Sequence, residues 1–206
     1  MAPIPFSEPP WLCGLPSPYF TESHRKWQAA IRPFLQERLH HHAVEWEVAE
    51  TIPEHVFGEF AADNMLVPAL PAPLPVEWLR RLGLGKLMGG LDVADFDYLH
   101  GLIYGDEMAR PGLAGPGGSL TTGIAFGVPP ILKFGSKDLQ EKFLPDLLSG
   151  KKRSCIAITE PDAGSDVAGI TTRAEKSPDG QWYVVNGTKK WYAAHSSGRM
   201  GSILIS

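Results

Sequence analysis

Cysteine is nearly absent from this sequence. Cys13 and Cys155 are the only two in 206 residues, which excludes a disulfide framework or a cysteine metal knuckle and sets a reducing, intracellular compartment as the expectation. Lys and Arg are missing from the first 24 residues, where proline is frequent. That fits neither a secretory signal nor an Arg-rich mitochondrial presequence, so the expected location is cytoplasmic or peroxisomal. An excess of one charge is also missing: 19 basic against 23 acidic residues give a net charge of −4, with no general attraction for nucleic acid or an anionic membrane. The uncharged run over residues 111–132 is interrupted by Pro111, Pro116, Pro129 and Pro130, so it reads as buried helix and loop rather than a membrane span. Any anion must therefore be held by a local site.

With 43% apolar and 20% charged residues, the chain has the composition of an ordinary globular protein of one large or two small domains. After a Pro-rich lead over 1–20, Thr21 is a candidate N-cap, and Trp27, Ile31, Phe34, Leu35 and Leu39 recur at helical spacing, with Pro33 expected to kink the helix. Pro53 opens a second helical pattern through Val56, Phe57, Phe60 and Ala61 that ends near Asp63-Asn64, and the proline-dense stretch 68–76 reads as a loop. Phe96, Leu99, Leu102, Ile103 and Met108 predict a third helix with its apolar face opposite Asp97, Asp106 and Glu107. A Gly-interrupted apolar segment over 119–134 predicts a buried helix, and Ser136 caps another that carries Asp138 in its first turn. Gly150 punctuates this helical half.

From Ser154 the period becomes alternating: Ile156 and Ile158, then residues 170–176, a Ser177-Pro178-Asp179-Gly180 turn, and residues 182–185. The predicted fold is α+β, with an N-terminal α-helical domain over 21–152 followed by the first strands of an antiparallel β-domain over 153–206. The sequence stops within a strand-like Ser202-Ile203-Leu204-Ile205-Ser206, which sets the expectation of a truncated chain with an exposed edge.

The stretch Cys155 to Asp166 joins an expected buried strand to a polar turn. Pro161, Gly164 and Ser165 stop the strand and release backbone N–H groups that can meet an anionic cofactor. Ala157-Ile158-Thr159-Glu160-Pro161-Asp162-Ala163-Gly164-Ser165-Asp166 resembles the signature of the acyl-CoA dehydrogenases, and Val185-Asn186-Gly187-Thr188-Lys189-Lys190-Trp191 resembles a second motif of the same family. Gly89-Gly90, Tyr104 to Arg110 and Lys133 to Gly150 extend the resemblance upstream.

The resemblance implies a flavoenzyme that binds FAD and oxidises the Cα–Cβ bond of an acyl-CoA thioester. Electrons would pass to a carrier flavoprotein or to oxygen, and the complete protein would be a homo-oligomer. It implies cofactor contacts at Ile156, Ile158, Thr159, Gly164, Ser165, Trp191, Tyr192 and Ala193, with Ser165 also touching the acyl-CoA. It implies no catalytic residue here, because the family's catalytic Glu lies in a C-terminal helical domain. Glu160 reads as an ion-pair or turn residue rather than a base. After the Trp the family usually continues Ile-Thr-Asn, whereas this chain has Tyr192-Ala193-Ala194. One neutral hydrogen bond is worth about 0.5–1.5 kcal/mol, so losing the Thr hydroxyl corresponds to about a threefold to tenfold change in flavin affinity or rate. Some peroxisomal relatives carry a C-terminal tripeptide address, which Leu204-Ile205-Ser206 does not match.

Other features carry plainer expectations. His40-His41-His42, with His24 and His55, reads as solvated helix surface and no metal site, because consecutive helical residues diverge by about 100°. Gly112 to Gly118 lacks the Lys and Ser or Thr of a phosphate loop and reads as a flexible connection, and Cys155 as strand filling. Two alternatives to dehydrogenation stand: a related flavin oxidase, or a truncated, non-catalytic member acting as a binding subunit. Bound flavin separates the last from the others.

Overall fold

The computed structural model describes residues 8–190. The expectations for Trp191, Tyr192, Ala193 and the strand over 202–206 lie outside the described residues. Helix α1, Glu22–Leu35, follows its N-cap Thr21 and buries Trp27, Ile31 and Leu35 along one face. Pro33 lies inside α1 and does not end it. The chain widens one turn later into a π-helical segment, Gln36–His40, which keeps Leu39 in the core. A proline forfeits one hydrogen bond and crowds the preceding turn, and a wider turn is one way for a helix to absorb that strain. Helices α2, Ala43–Val48, and α3, Glu54–Ala62, come next, the latter starting after Pro53 and closing at Asp63 as the sequence predicts. Most of the proline-dense stretch is loop between a short turn at Val67–Ala69 and α4, Val76–Arg81.

Helix α5, Tyr98–Ala109, is capped by Asp97, whose carboxylate accepts from the N–H groups of Leu99 and His100. Its buried face is His100, Ile103, Tyr104, Glu107 and Met108, which corrects the predicted phase: Leu102 faces solvent and Glu107 is fully buried. Phe96, expected within the helix, precedes it, and removing it rotates the apolar stripe towards α1.

Helix α6, Ala114–Phe134, starts five residues before the predicted segment, so Gly115 to Gly118 are helical rather than a flexible connection. A Cβ on Gly115 would meet only the carboxylate end of the exposed Glu47 side chain, which can swing away. Leu120, Ile124, Val128 and Ile131 face the core. Helix α7, Lys137–Leu148, begins at its predicted cap, Ser136 Oγ accepting from Leu139 N–H at 3.3 Å. Gly150 ends the helical part at φ +70°, where a Cβ would meet Ala61 Cβ at 2.5 Å. No helix among the described residues is long and apolar enough to cross a membrane.

Beyond residue 152 the structure is an antiparallel ribbon of β1, Arg173–Lys176, and β2, Tyr183–Asn186, in register from Arg173 opposite Asn186 to Lys176 opposite Tyr183. The Ser177 to Gly180 turn holds its shape through Asp179, which accepts from Ser177 Oγ at 2.6 Å and Gln181 N–H at 3.1 Å. All eight strand residues are exposed. The buried strand expected at Ile156 to Ile158 is not formed as a ladder among the described residues, and Ile158 is 42% exposed. Apolar alternation predicts the strand, but burial needs a second layer that the described residues do not supply.

Candidate functional site

The signature turn closes on itself. Glu160 N–H donates to Ala163 O at 2.9 Å and Ala163 N–H returns to Glu160 O at 3.3 Å, so Pro161 and Asp162 form a tight corner over the buried Ala163. The Glu160 side chain is buried and locks this corner to residues 171, 172 and 189. It accepts from Thr171 N–H at 2.7 Å, Thr171 Oγ1 at 2.8 Å, Thr172 N–H at 3.0 Å, the Thr172 hydroxyl, and Lys189 Nζ at 3.0 Å. The Thr172 hydroxyl leads these bonds in holding the carboxyl well below the usual carboxylate range. A carboxylate so committed is a poor base, and the expected structural role of Glu160 is what the geometry shows.

The second motif joins the first through the same residues. Lys189 Nζ also donates to Ile158 O at 3.1 Å, and Lys190 N–H donates to Thr159 O at 2.9 Å. The residues beyond the corner differ in one respect: Gly164 and Ser165 are exposed and make no hydrogen bond among the described residues. A Cβ on Gly164 would meet no described atom within 4 Å, so among the described residues this backbone is open to an incoming group. The Thr159 hydroxyl, half-buried at the edge of the turn, likewise has no partner among the described residues. Donors left without partners among the described residues, beside a locked corner, could meet an anionic group.

The turn is positioned by contacts that the sequence pattern did not reveal. Helix α6 presents Gly123 and Gly127 to the chain entering the turn. A Cβ on Gly123 would collide with Ser154 O, and one on Gly127 would lie 2.6 Å from Ser154 Oγ. Ser154 Oγ donates to Gly123 O at 2.7 Å. The readable signal was two glycines four apart on a helical period, which lets a second backbone approach. A cavity of about 450 Å³ opens beside this contact, lined among others by Phe57, Gly118, Thr122, Gly123, Arg153 and Ser154. The Arg153 guanidinium stacks 4.1 Å over the Phe57 ring at its wall.

Two polar clusters tie α1 to α5 under this scaffold. Glu107, expected on the solvent face, accepts from Gln28 Nε2 at 2.8 Å and from Arg32 Nη2 at 2.6 Å. Arg32 and Arg110 both reach Glu8 at 2.9 Å. Burial alone would lower the Arg32 pKa, but the Glu107 and Glu8 carboxylates outweigh it and raise it.

In the second cluster His24 and His100 are both buried, their rings tilted by 33° with centroids 4.1 Å apart, with Asp97 between their ring nitrogens. Burial pushes the Asp97 carboxyl up, and the bonds from His100 and His24 outweigh it, bringing it down to about 2. The expectation of solvated histidines holds for His41, His42 and His55 and fails for His24 and for His40, whose Nε2 lies 2.8 Å from Glu107 O.

Comparison with known proteins places these features in a family. Residues 21–151 match the model of the acyl-CoA dehydrogenase N-terminal domain and residues 155–200 that of the middle domain. The chain is 68% identical over 188 residues to the acyl-CoA dehydrogenase apdG of Emericella nidulans, covering 91% of this chain and 43% of that protein. The crystal structure of an acyl-CoA dehydrogenase from Geobacillus kaustophilus superimposes with a TM-score of 0.64 at 28% identity, over 86% of this chain and 41% of that one. A glutaryl-CoA dehydrogenase from Mycobacterium smegmatis in complex with FADH2 shares the fold, with a TM-score of 0.65 at 24% identity over 84% of this chain and 39% of that one. The chain thus spans less than half the length of the relatives it matches. Because the domain matches cover both the helical scaffold and the Glu160-locked turn with its Lys189 partner, the chain belongs to the acyl-CoA dehydrogenase family.

Proposed function

We propose that this chain forms part of an FAD-dependent oxidoreductase that introduces a Cα–Cβ double bond into an acyl-CoA thioester. The observation that carries the reading is the division of labour within the signature: the Glu160 carboxylate holds the turn, while the donors of Thr159, Gly164 and Ser165 have no partner among the described residues. Ile156, Ile158, Thr159, Gly164 and Ser165, with Trp191, Tyr192 and Ala193 from the second motif, would hold the FAD, and Ser165 would also touch the thioester. The helical domain over 21–152 would frame the acyl group and the β part from 153 the cofactor.

Bound at this turn, the flavin supplies the acceptor for the hydride that leaves the substrate's Cβ. Thr159 would hold the edge of the cofactor where negative charge grows, a contact worth most when it is fixed in advance. The lock from Glu160 to Thr171, Thr172 and Lys189 provides that fixation. The α-proton needs a carboxylate elsewhere, since Glu160 is ionised and fully engaged. The electron acceptor would be a carrier flavoprotein or oxygen, in a homo-oligomer located in the cytoplasm or peroxisome.

The test is flavin retention. The purified full protein should show the two visible flavin bands, bleach on anaerobic addition of acyl-CoA, and lose flavin in Lys189→Ala while keeping its helical signal. A folded protein that stays colourless with excess FAD would sink the reading and favour the non-catalytic binding subunit.

A further inference from the structure

We propose that His24, Asp97 and His100 form a binding site for a divalent cation of the zinc class, which fastens the start of α1 to the start of α5. Each residue offers one ligand atom, and the three atoms lie within 4.8 Å of one another. His24 Nε2 is 3.1 Å and His100 Nδ1 is 2.8 Å from the same Asp97 oxygen. Ligands at about 2.0–2.1 Å around a tetrahedral zinc lie about 3.3 Å apart, so both rings must draw back from Asp97 while their nitrogens, no more than 4.8 Å apart, take up that spacing. Two imidazoles and a carboxylate suit zinc and leave one position for water. The histidines are 3% and 2% exposed, while the Asp97 side chain is 52% exposed, which gives the ion a path from solvent to otherwise buried ligands.

A second observation concerns the ring nitrogens that face away from Asp97. His24 Nδ1 lies 2.9 Å from Thr21 Oγ1, and His100 Nε2 lies 3.1 Å from Ser23 Oγ. A metal-bound imidazole donates its other N–H to such an acceptor, which fixes the ring plane and raises its basicity. Aromatic walls restrain both rings: Phe20 packs edge-on against His24 with centroids 5.9 Å apart, and Phe96 stacks on His100 at 5.8 Å. Trp27 Nε1 donates to His100 O at 3.0 Å and holds the backbone beneath.

The competing reading is capping alone. His24 Nδ1 accepts from Thr21 N–H at 2.9 Å, His100 Nδ1, itself one of the proposed ligand atoms, accepts from Asp97 N–H at 3.2 Å, and Asp97 accepts from Leu99 and His100 N–H at 2.9 and 3.0 Å. The starts of α1 and α5 also direct partial positive charge at the site, which the ionised Asp97 must offset. An ion would therefore displace the cap bonds from Thr21 N–H to His24 and from Asp97 N–H to His100 and leave the Asp97 carboxylate bridging cation and helix.

The experiment uses the full chain stripped with a chelator, titrated with zinc by calorimetry and with cobalt by visible absorption. One ion per chain, cobalt bands of tetrahedral strength and a zinc-dependent rise in melting midpoint are expected. His24→Ala and His100→Ala should each abolish these, Ser23→Ala should weaken binding by about tenfold, and His41→Ala with His42→Ala should change nothing. Shifts of the His24 and His100 imidazole nitrogens on zinc addition, read by NMR in the unaltered chain, give the same test without a variant that must fold. Zinc binding that survives the His24→Ala/His100→Ala double variant, or a chain whose helical signal and midpoint ignore zinc, would overturn the proposal.

Discussion

Replacing Gly123 with alanine sets helix propensity against packing, and the structure decides which wins. In the interior of a helix, alanine gains about 0.8–1.0 kcal/mol over glycine. At Gly123 the added Cβ would overlap Ser154 O and lie 3.1 Å from Ser154 C. Both belong to backbone, so no side chain can swing away. Separating them to ordinary contact requires a shift of more than about 1 Å in α6 or in the segment leading into the signature turn, and overpacking of this kind costs about 1–3 kcal/mol. The shift also strains the 2.7 Å bond from Ser154 Oγ to Gly123 O, adding about 1 kcal/mol.

We therefore expect Gly123→Ala to lose about 2 kcal/mol, a midpoint about 4–8 °C lower for a chain of this size. On the proposed function it should also bind flavin more weakly, because Ser154 carries the chain to Thr159. Gly105→Ala is the control: it lies within α5 with nothing within 4 Å of its Cβ position, so the same substitution should raise the midpoint by about 2–4 °C. Thermal denaturation with and without FAD reads both. If Gly123→Ala melts at or above the unaltered chain, the close approach of α6 to Ser154 is not what holds the site.

Three further outcomes rest on named contacts. Glu107→Ala removes a fully buried carboxylate from Arg32 and Gln28 and should cost about 3–5 kcal/mol, whereas Arg81→Ala at the exposed pair with Glu141 should leave the denaturation midpoint unresolved from the original. Equal effects in the two variants would contradict the burial argument. Tyr104→Phe strands the Met65 carbonyl, which accepts the phenol at 2.6 Å, and should cost about 1–3 kcal/mol in chemical denaturation; a neutral result would mean that water takes the vacated place. The Glu160 carboxyl lies below its ordinary value of 4.5. Its contribution is therefore complete above that value and is lost only as pH falls through the depressed one. A carbon NMR titration should find Glu160 still ionised at pH 4, and an ordinary titration there would refute the lock.

The order of helices, the caps at Thr21 and Ser136, and the two signature motifs were legible in the sequence because each depends on neighbours a few residues apart. Periodicity reports an apolar face, and a Thr or Ser before it reports a start, whereas Asp97 reads as a polar-face residue of α5 and is its cap. The motifs likewise carried the family, since Glu160 and Lys189 are part of the pattern that resembles it. What the sequence misplaced was decided by long-range packing. Glu107 reads as a surface residue until Arg32 and Gln28 of α1 come to meet it. Ile158 reads as buried until its surroundings prove open. Gly115 to Gly118 read as a flexible connection until α6 takes them in, and Gly123 and Gly127 read only as interruptions of a buried helix until Ser154 is seen against them.

His24 and His100 show the same limit most clearly. The sequence drew attention to His40-His41-His42, three consecutive residues, and had no means of pairing His24 with a histidine on another helix. Only the crossing of α1 and α5 brings their rings to 4.1 Å with Asp97 between them. Local chemistry fixes where helices and turns begin, because those choices compete within a few bonds. Which side chains share a site depends on how the elements dock, and no spacing along the chain encodes that distance.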